Sequence, residues 1–255
     1  MFQGTVSIIS NCEIMPKVYL MWLAAPDIAV GSQPGQFVMI STDGGSGRLL
    51  RRPISIHNIQ NHKLALLFAV VGEGTDWLSR KQPGEKVDIL GPLGHGFTLQ
   101  PDSHQILLVA GGLGMAPLNY LARESMQKGC QVTLLDGART AKLIYPSELL
   151  PESCHMQVAT EDGSAGITGR ITDLLSQYTG QADQVFICGP VPMYKAIFGH
   201  PFLKGKSVQV SLEVRMGCGL GFCYACTIKT VKGLKQVCKD GPVFDMNEVI
   251  WPELC

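Results

Sequence analysis

The chain has 255 residues, 45% of them hydrophobic and 16% charged, enough apolar material for more than one packed unit. Lysine plus arginine and aspartate plus glutamate each number 21, so the formal net charge is zero and no electrostatic footprint for nucleic acid or an anionic membrane is present. No uninterrupted apolar run reaches the roughly 18 residues that a membrane-spanning helix needs.

The opening residues, "MFQGTVSIISNCEIM", lack a basic leader and read as a strand rather than a signal peptide. Nine cysteines, an odd number in a chain of this length, then predict a reducing, cytoplasmic setting. In that setting clustered cysteines are better read as metal ligands than as disulfides. Over residues 1–100 short β-rich runs follow one another: "TVSIIS", "KVYLMWLA", "GQFVMIS", "RRPISIHNI", "KLALLFAVV" and "KVDILG". Gly, Pro, Asn and Asp punctuate them, the pattern of a small antiparallel barrel or sandwich. Within it, "RRPISIH" (51–57) offers Arg51 and Arg52 as forked phosphate donors and Ser55 as a hydroxyl two residues past rigid Pro53. "GEGT" (72–75) adds a small-residue turn with backbone donors, and "GPLGHGF" (91–97) a second loop.

The rhythm changes near residue 105. "ILLVA" is a continuous apolar run suited to a strand buried on both faces. A glycine turn, the helical "APLNYLARESMQKG" and a second buried run, "QVTLLD", complete a β-α-β unit. "MQVAT", "GRITDLLSQY", "QVFICG" and "VPMYKAIF" continue the alternation, so residues 101–210 predict a parallel sheet with crossover helices. In "AGGLGMAP" (110–117) the spacing Gly112-x-Gly114-x-x-Pro117 stands where a strand yields to a helix, a place suited to a dinucleotide pyrophosphate. Asp136, at the end of the second strand, is placed to bind a ribose 2′-hydroxyl and leans the choice toward NAD. Arg139, close behind in "DGART", is equally able to take a 2′-phosphate. Cys188 ends a further strand, where ligands of such sheets gather, although taken by itself a cysteine there is better read as a buried small hydrophobe.

From about residue 211 the chain becomes glycine- and cysteine-rich. Cys218-x4-Cys223-x2-Cys226, followed by Cys238, has the plant-type [2Fe–2S] spacing. A structural zinc site would more typically use two Cys-x2-Cys knuckles, and only one is present. Gly217, Gly219 and Gly221 leave the loop backbone unhindered around the thiolates. Cys12, Cys130, Cys154 and Cys255 have no partner at useful spacing and read as ordinary thiols.

Taken in order, "RPIS" and "GEGT", then "GGLGMAP" and "CGP", resemble the ferredoxin–NADP reductase superfamily. Ile54, before Ser55, stands where that superfamily commonly has an aromatic residue. With the cysteine tail, this makes the chain similar to the branch that serves as electron-transfer subunit of dihydroorotate dehydrogenase B. The resemblance implies an FAD-binding β-barrel (1–100), an NAD-binding α/β domain (101–210) and a small [2Fe–2S] domain (211–255). It also implies that Arg52, Pro53, Ile54, Ser55, Leu67, Phe68, Ala69, Gly74 and Thr75 line FAD. Cys188 and "TEDGS" (160–164) would face the nicotinamide nucleotide, and Cys218, Cys223, Cys226 and Cys238 would hold the cluster. The implied partner is an FMN-containing dihydroorotate dehydrogenase catalytic subunit, in a heterotetramer of two plus two, with no nucleic acid or membrane. Two readings compete. One is a flavin subunit of a hydrogenase, a sulfite reductase or an NADH–ferredoxin transhydrogenase; the other is a zinc-stabilised interaction module.

Overall fold

The computed structural model describes residues 1–42 and 50–254; Cys255 lies outside the described residues. The barrel expected from the strand pattern is closed and antiparallel. Its strands are β1 (Phe2–Met15), β2 (Val18–Ala24), β3 (Phe37–Ile40), β4 (Arg52–Gln60), β5 (Lys63–Ala69) and β6 (Lys86–Leu93), ordered β1-β2-β5-β4-β3-β6. Short helices α1 (Pro26–Ala29) and α2 (Glu73–Ser79) occupy two of the connections. Between β4 and β5, Gln60 pairs with Lys63, and Asn61 and His62 turn the chain with φ of 49° and 60°. Left-handed backbone at both turn positions matches the twist of the flanking strands.

β3 shows why a barrel strand can read as an unbroken apolar run. Val38 and Ile40 fill the barrel, while alternate residues Phe37 and Met39 point the other way, into a core shared with the rest of the chain. A strand covered on both faces has no polar side to alternate with.

The second unit comprises β7 (Gln105–Gly111), α3 (Met115–Gln127), β8 (Gln131–Ala138), β9 (His155–Thr160), β10 (Ile167–Thr168), α4 (Leu175–Tyr178), β11 (Gln184–Cys188), α5 (Val191–Ile197) and β12 (Ser207–Ser211). These strands are parallel, in the order β10-β9-β8-β7-β11-β12. The chain steps from β7 to one side and returns to its other side at β11. Such a reversal leaves a crevice beyond the C-terminal strand ends, where ligands of open α/β sheets bind. Helix α3 also clasps the barrel, since its Tyr120 packs in the barrel core and donates to the Ser32 carbonyl at 3.1 Å.

The tail contains β13 (Thr227–Thr230), β14 (Gly233–Gln236), α6 (Val237–Asp240) and β15 (Val243–Asp245). The boundary expected at residue 211 is crossed here: β15 pairs antiparallel with β12 and becomes the last strand of the large sheet. Val237, Phe244 and Trp251 are buried in the same core as Val185 and Val210 of that sheet. Trp251 stacks on Tyr194 of α5 at 5.1 Å, and its indole N–H donates to the Met246 carbonyl. Among the described residues no helix is long and apolar enough to cross a membrane.

Candidate functional site

Two cavities open side by side where the barrel meets the sheet. The larger, about 590 Å³, lies beyond the C-terminal ends of β7, β8 and β11. Gly111, Gly112 and Leu113 form one wall, Gly137, Ala138 and Arg139 another, and Pro190 and Met193 a third. Gly112 has φ of 56° and open space where a Cβ would stand, so bare backbone faces the cavity. Gly114, expected to serve the same ligand, does not line the cavity. A Cβ there would sit 1.8 Å from the Cys188 carbonyl oxygen, so this glycine is required for α3 to approach β11.

Two further expectations are corrected by burial. Asp136 is 1% exposed and points inward, where its Oδ2 accepts the Tyr145 backbone N–H at 2.9 Å. It is not offered to a ribose; Arg139 is the charged group of that stretch that lines the cavity, joined there by Glu161 and Arg170. Cys188 is fully buried beneath α3 with Ala110 and Phe186 and lines neither cavity. Its burial drives the thiol well above its ordinary range. Within "TEDGS" only Glu161 reaches the cavity wall; the Thr160 hydroxyl donates to the Ala165 carbonyl, and Asp162 accepts from Ser164.

The second cavity, about 440 Å³, is bounded by Pro53, Ile54 and Ser55 of β4, Leu67, Phe68 and Ala69 of β5, and Thr75 of α2. Leu113 and Ala116 close it from the sheet side, and residues 211–216 from the tail. Ala69 and Leu113 border both cavities, so molecules held in the two would meet there. Arg52 and Gly74 are not among the residues that line this cavity. The Arg52 guanidinium donates to the Leu50 carbonyl at 2.7 Å, and a Cβ on Gly74 would come within 2.9 Å of Arg52 Nε. Gly74 thus leaves room for the arginine. Arg51 is spent on the barrel through its ion pair with Asp88 at 2.8 Å. In the "GEGT" turn the Thr75 hydroxyl accepts from the Val71 and Gly72 N–H groups, so part of the donor set is used internally.

The sequence reading missed residues 211–216 of the cavity wall, notably Glu213 and Arg215. Enclosure raises the Glu213 carboxyl above its usual range. No local pattern marks these residues, because only the return of the tail brings them to the barrel.

Beyond Met216 the chain enters the cysteine loop. The 11-residue gap before Cys238 is a β-hairpin. β13 and β14 pair from Thr227–Gln236 to Thr230–Gly233, carrying the chain out and back. Backbone N–H groups converge on sulfur: Leu220 and Phe222 donate to Cys218 at 3.4 and 3.3 Å, Gly221 to Cys238 at 3.2 Å, and Cys238 to Cys226 at 3.4 Å. Gly219 and Gly221 have φ of 74° and 83°, and side chains there would strike Met39 and Lys239. Burial pushes the Cys218 thiol up, but these N–H donors and Cys223 pull it further down, to about 6. Among the thiols, Cys218 interacts most with Cys223, and Cys238 most with Cys226 and less with Cys218. Among the described residues no three His, Cys, Asp or Glu side chains converge on one ion position. Two pairs with amide donors suit a two-iron cluster, with two thiolates per iron, better than a single zinc tetrahedron.

Residues 213–250 match the iron–sulfur cluster binding domain of dihydroorotate dehydrogenase B, and residues 108–198 match the oxidoreductase NAD-binding domain. The chain is 39% identical to the dihydroorotate dehydrogenase B (NAD(+)) electron transfer subunit of Desulforamulus reducens, over 93% of this chain and 94% of the relative. The chain belongs to this family. The Geobacillus thermodenitrificans dihydroorotate dehydrogenase B electron transfer subunit is 38% identical, over 96% of this chain and 97% of its own length. The fold is likewise similar to a solved NADH-dependent reduced ferredoxin–NADP oxidoreductase, with a TM-score of 0.88 at 31% identity, covering 98% of this chain and 91% of that one.

In this dihydroorotate dehydrogenase B family member the inward Asp136 has a measurable consequence. Burial raises its carboxyl from the ordinary 3.8 to about 7, against the opposing pull of the Tyr145 N–H. Between those values the folded chain holds a proton that the unfolded chain has released, so stability falls as pH rises from about 4 to 7. Asp136→Asn removes that slope. The variant is expected to gain about 4 kcal/mol relative to the parent across the window, read by denaturant unfolding at each pH. Parallel pH profiles for the two proteins would show that Asp136 is ionised in the fold.

Proposed function

We propose that this chain carries electrons between NAD and a separate catalytic subunit that oxidises dihydroorotate at FMN, in a cytoplasmic heterotetramer of two plus two. On this reading NAD occupies the larger cavity, FAD the central one, and a [2Fe–2S] cluster the thiol loop. The observation that carries it is the order of the three sites. The cavities touch at Ala69 and Leu113, and Met216, on the wall of the central cavity, leads directly into the cysteine loop.

FAD, when bound, supplies the conversion between two-electron hydride chemistry and the one-electron chemistry of a cluster. The chain's own contribution is placement and exclusion of water. Gly112 presents bare backbone to a pyrophosphate, and Arg139 supplies positive charge from another wall of the same cavity. Pro53, Ile54, Leu67 and Phe68 give the central cavity an apolar floor for a flat ring system, and Ser55 supplies a hydroxyl. The amide donors around Cys218 and Cys238 stabilise thiolate charge. On the outward side, Cys223 is exposed and flanked by Phe222 and Tyr224, 78% and 69% exposed, which supports the partner's approach there.

A pull-down of the native complex, with its visible spectrum, tests the assignment. The expected result is co-purification of an FMN protein that makes NADH from dihydroorotate only with this chain present. The likeness to the NADH-dependent reduced ferredoxin–NADP oxidoreductase favours a second reading, a subunit of an electron-bifurcating complex. A large glutamate-synthase-like partner would establish that reading, and a hydrogenase partner would likewise remove the pyrimidine one.

Arg52→Ala tests the flavin anchor separately. Loss of a charge-assisted contact of about 1.5–3 kcal/mol should weaken FAD retention by about tenfold or more, measured as flavin per protein after gel filtration. Full occupancy would exclude Arg52 as a phosphate ligand.

A further inference from the structure

Besides Tyr120, a buried polar side chain of the barrel also joins the two domains directly. His57, two residues beyond Ser55 on β4, is 1% exposed and reaches across the interface into the parallel-sheet domain. Its Nδ1 lies 2.9 Å from the Ala116 carbonyl oxygen, in the first turn of α3. Its Nε2 lies 2.8 Å from the Tyr145 hydroxyl and 3.3 Å from Asn119 Nδ2. A carbonyl only accepts, so Nδ1 carries the hydrogen and Nε2 is the acceptor for Tyr145. Burial agrees with a neutral ring, lowering its pKa to about 4.

The chemistry extends to the nucleotide side. The Tyr145 backbone N–H donates to Asp136, and Asp136 directly precedes Gly137, Ala138 and Arg139 on the larger cavity's wall. At the other end, Ala116 and Ser55 line the central cavity from opposite domains. A single imidazole therefore ties a barrel strand of one cavity to the helix that begins at the glycine turn of the other. Polar burial of this kind is costly unless satisfied, and an aliphatic residue would pack the site without linking it.

We propose that His57 is a positioning residue for hydride exchange, its bond to the Ala116 carbonyl holding α3 and the Leu113 junction in register with the barrel wall. This inference rests on the assignment of NAD and FAD to the two cavities. Displacing a reacting pair by about 1 Å is enough to cost roughly a hundredfold in rate.

Three variants separate the bond from mere filling of space. Asparagine places an amide donor near the position of Nδ1, glutamine near Nε2, and alanine neither. Each purified subunit is assayed for FAD content, for anaerobic flavin reduction by NADH in stopped flow, and for deuterium uptake by residues 115–127. For His57→Gln and His57→Ala the expected result is reduction slower by about tenfold or more at saturating NADH, with apparent NADH affinity changed less than about threefold. The start of α3 should exchange faster in both. His57→Asn should recover most of the rate and the protection. The proposal is overturned if His57→Gln, with full FAD content, reduces at the parent rate, or if His57→Asn is as slow as His57→Gln. If His57→Ala does not fold, the Asn–Gln comparison decides. A parent protein without FAD, or not reduced by NADH, would instead refute the cofactor assignment on which the inference stands.

Discussion

Replacing Cys226 by serine is expected to abolish the visible and paramagnetic signature of the iron–sulfur cluster while leaving the flavin in place. Cys226 is 3% exposed, and its sulfur accepts the Cys238 N–H at 3.4 Å. A serine hydroxyl there is neither a thiolate nor an adequate soft ligand for iron. Even outer contacts of a metal site cost roughly ten- to a hundredfold when removed, so loss of a ligand should cut electron delivery to the partner by more than about a hundredfold. NADH-dependent reduction of a soluble dye should stay within about threefold of the parent, because no thiol of the loop lines either cavity. Loss of FAD together with the cluster, in a variant that keeps the parent's unfolding midpoint, would contradict separate sites.

The second large effect is expected at Gly114. Alanine there would place a Cβ 1.8 Å from the Cys188 carbonyl oxygen, a backbone atom held in the middle of the parallel sheet by pairing with Ala110 and Ser211. Neither side yields by a rotamer change, so α3 must move off β11. Gly114→Ala should lose about 3 kcal/mol of stability in denaturant unfolding. Because α3 also borders the central cavity, reduction by NADH should fall with it. Gly112→Ala makes the contrast: space is open there and only the φ of 56° is strained, so about 1 kcal/mol is expected. Its main effect should be weaker NADH binding. Equal losses of stability at the two glycines would contradict the packing role of Gly114.

These cases show which features can be read along the chain. The spacing of the four cysteines proposed as cluster ligands was legible because it is set within one loop, and only the route to Cys238 needed the β13–β14 hairpin. The barrel and parallel sheet were legible from side-chain periodicity and from continuous apolar runs such as "ILLVA", which the structure buries as β7. Ser55, Leu67, Phe68 and Thr75, which the family resemblance assigns to FAD, border the central cavity, since their strands and turn are regular and local. Asp136 and Cys188 had the right positions at strand ends but face inward, and strand position alone carries no information on which way a short side chain is covered.

The sequence by itself determined the element types, the spacing of the four loop cysteines and the order of the motifs, because periodicity and short-range spacing are properties of neighbouring residues. Only the tertiary structure decided that Gly114 is needed for α3 to pack against β11. It also decided that residues 211–216 complete the central cavity and that His57 bridges the domains. Each of these depends on atoms brought together from distant parts of the chain, as when His57 meets Ala116 and Tyr145. Burial, hydrogen-bond satisfaction and the room left for a Cβ are set by those long-range contacts.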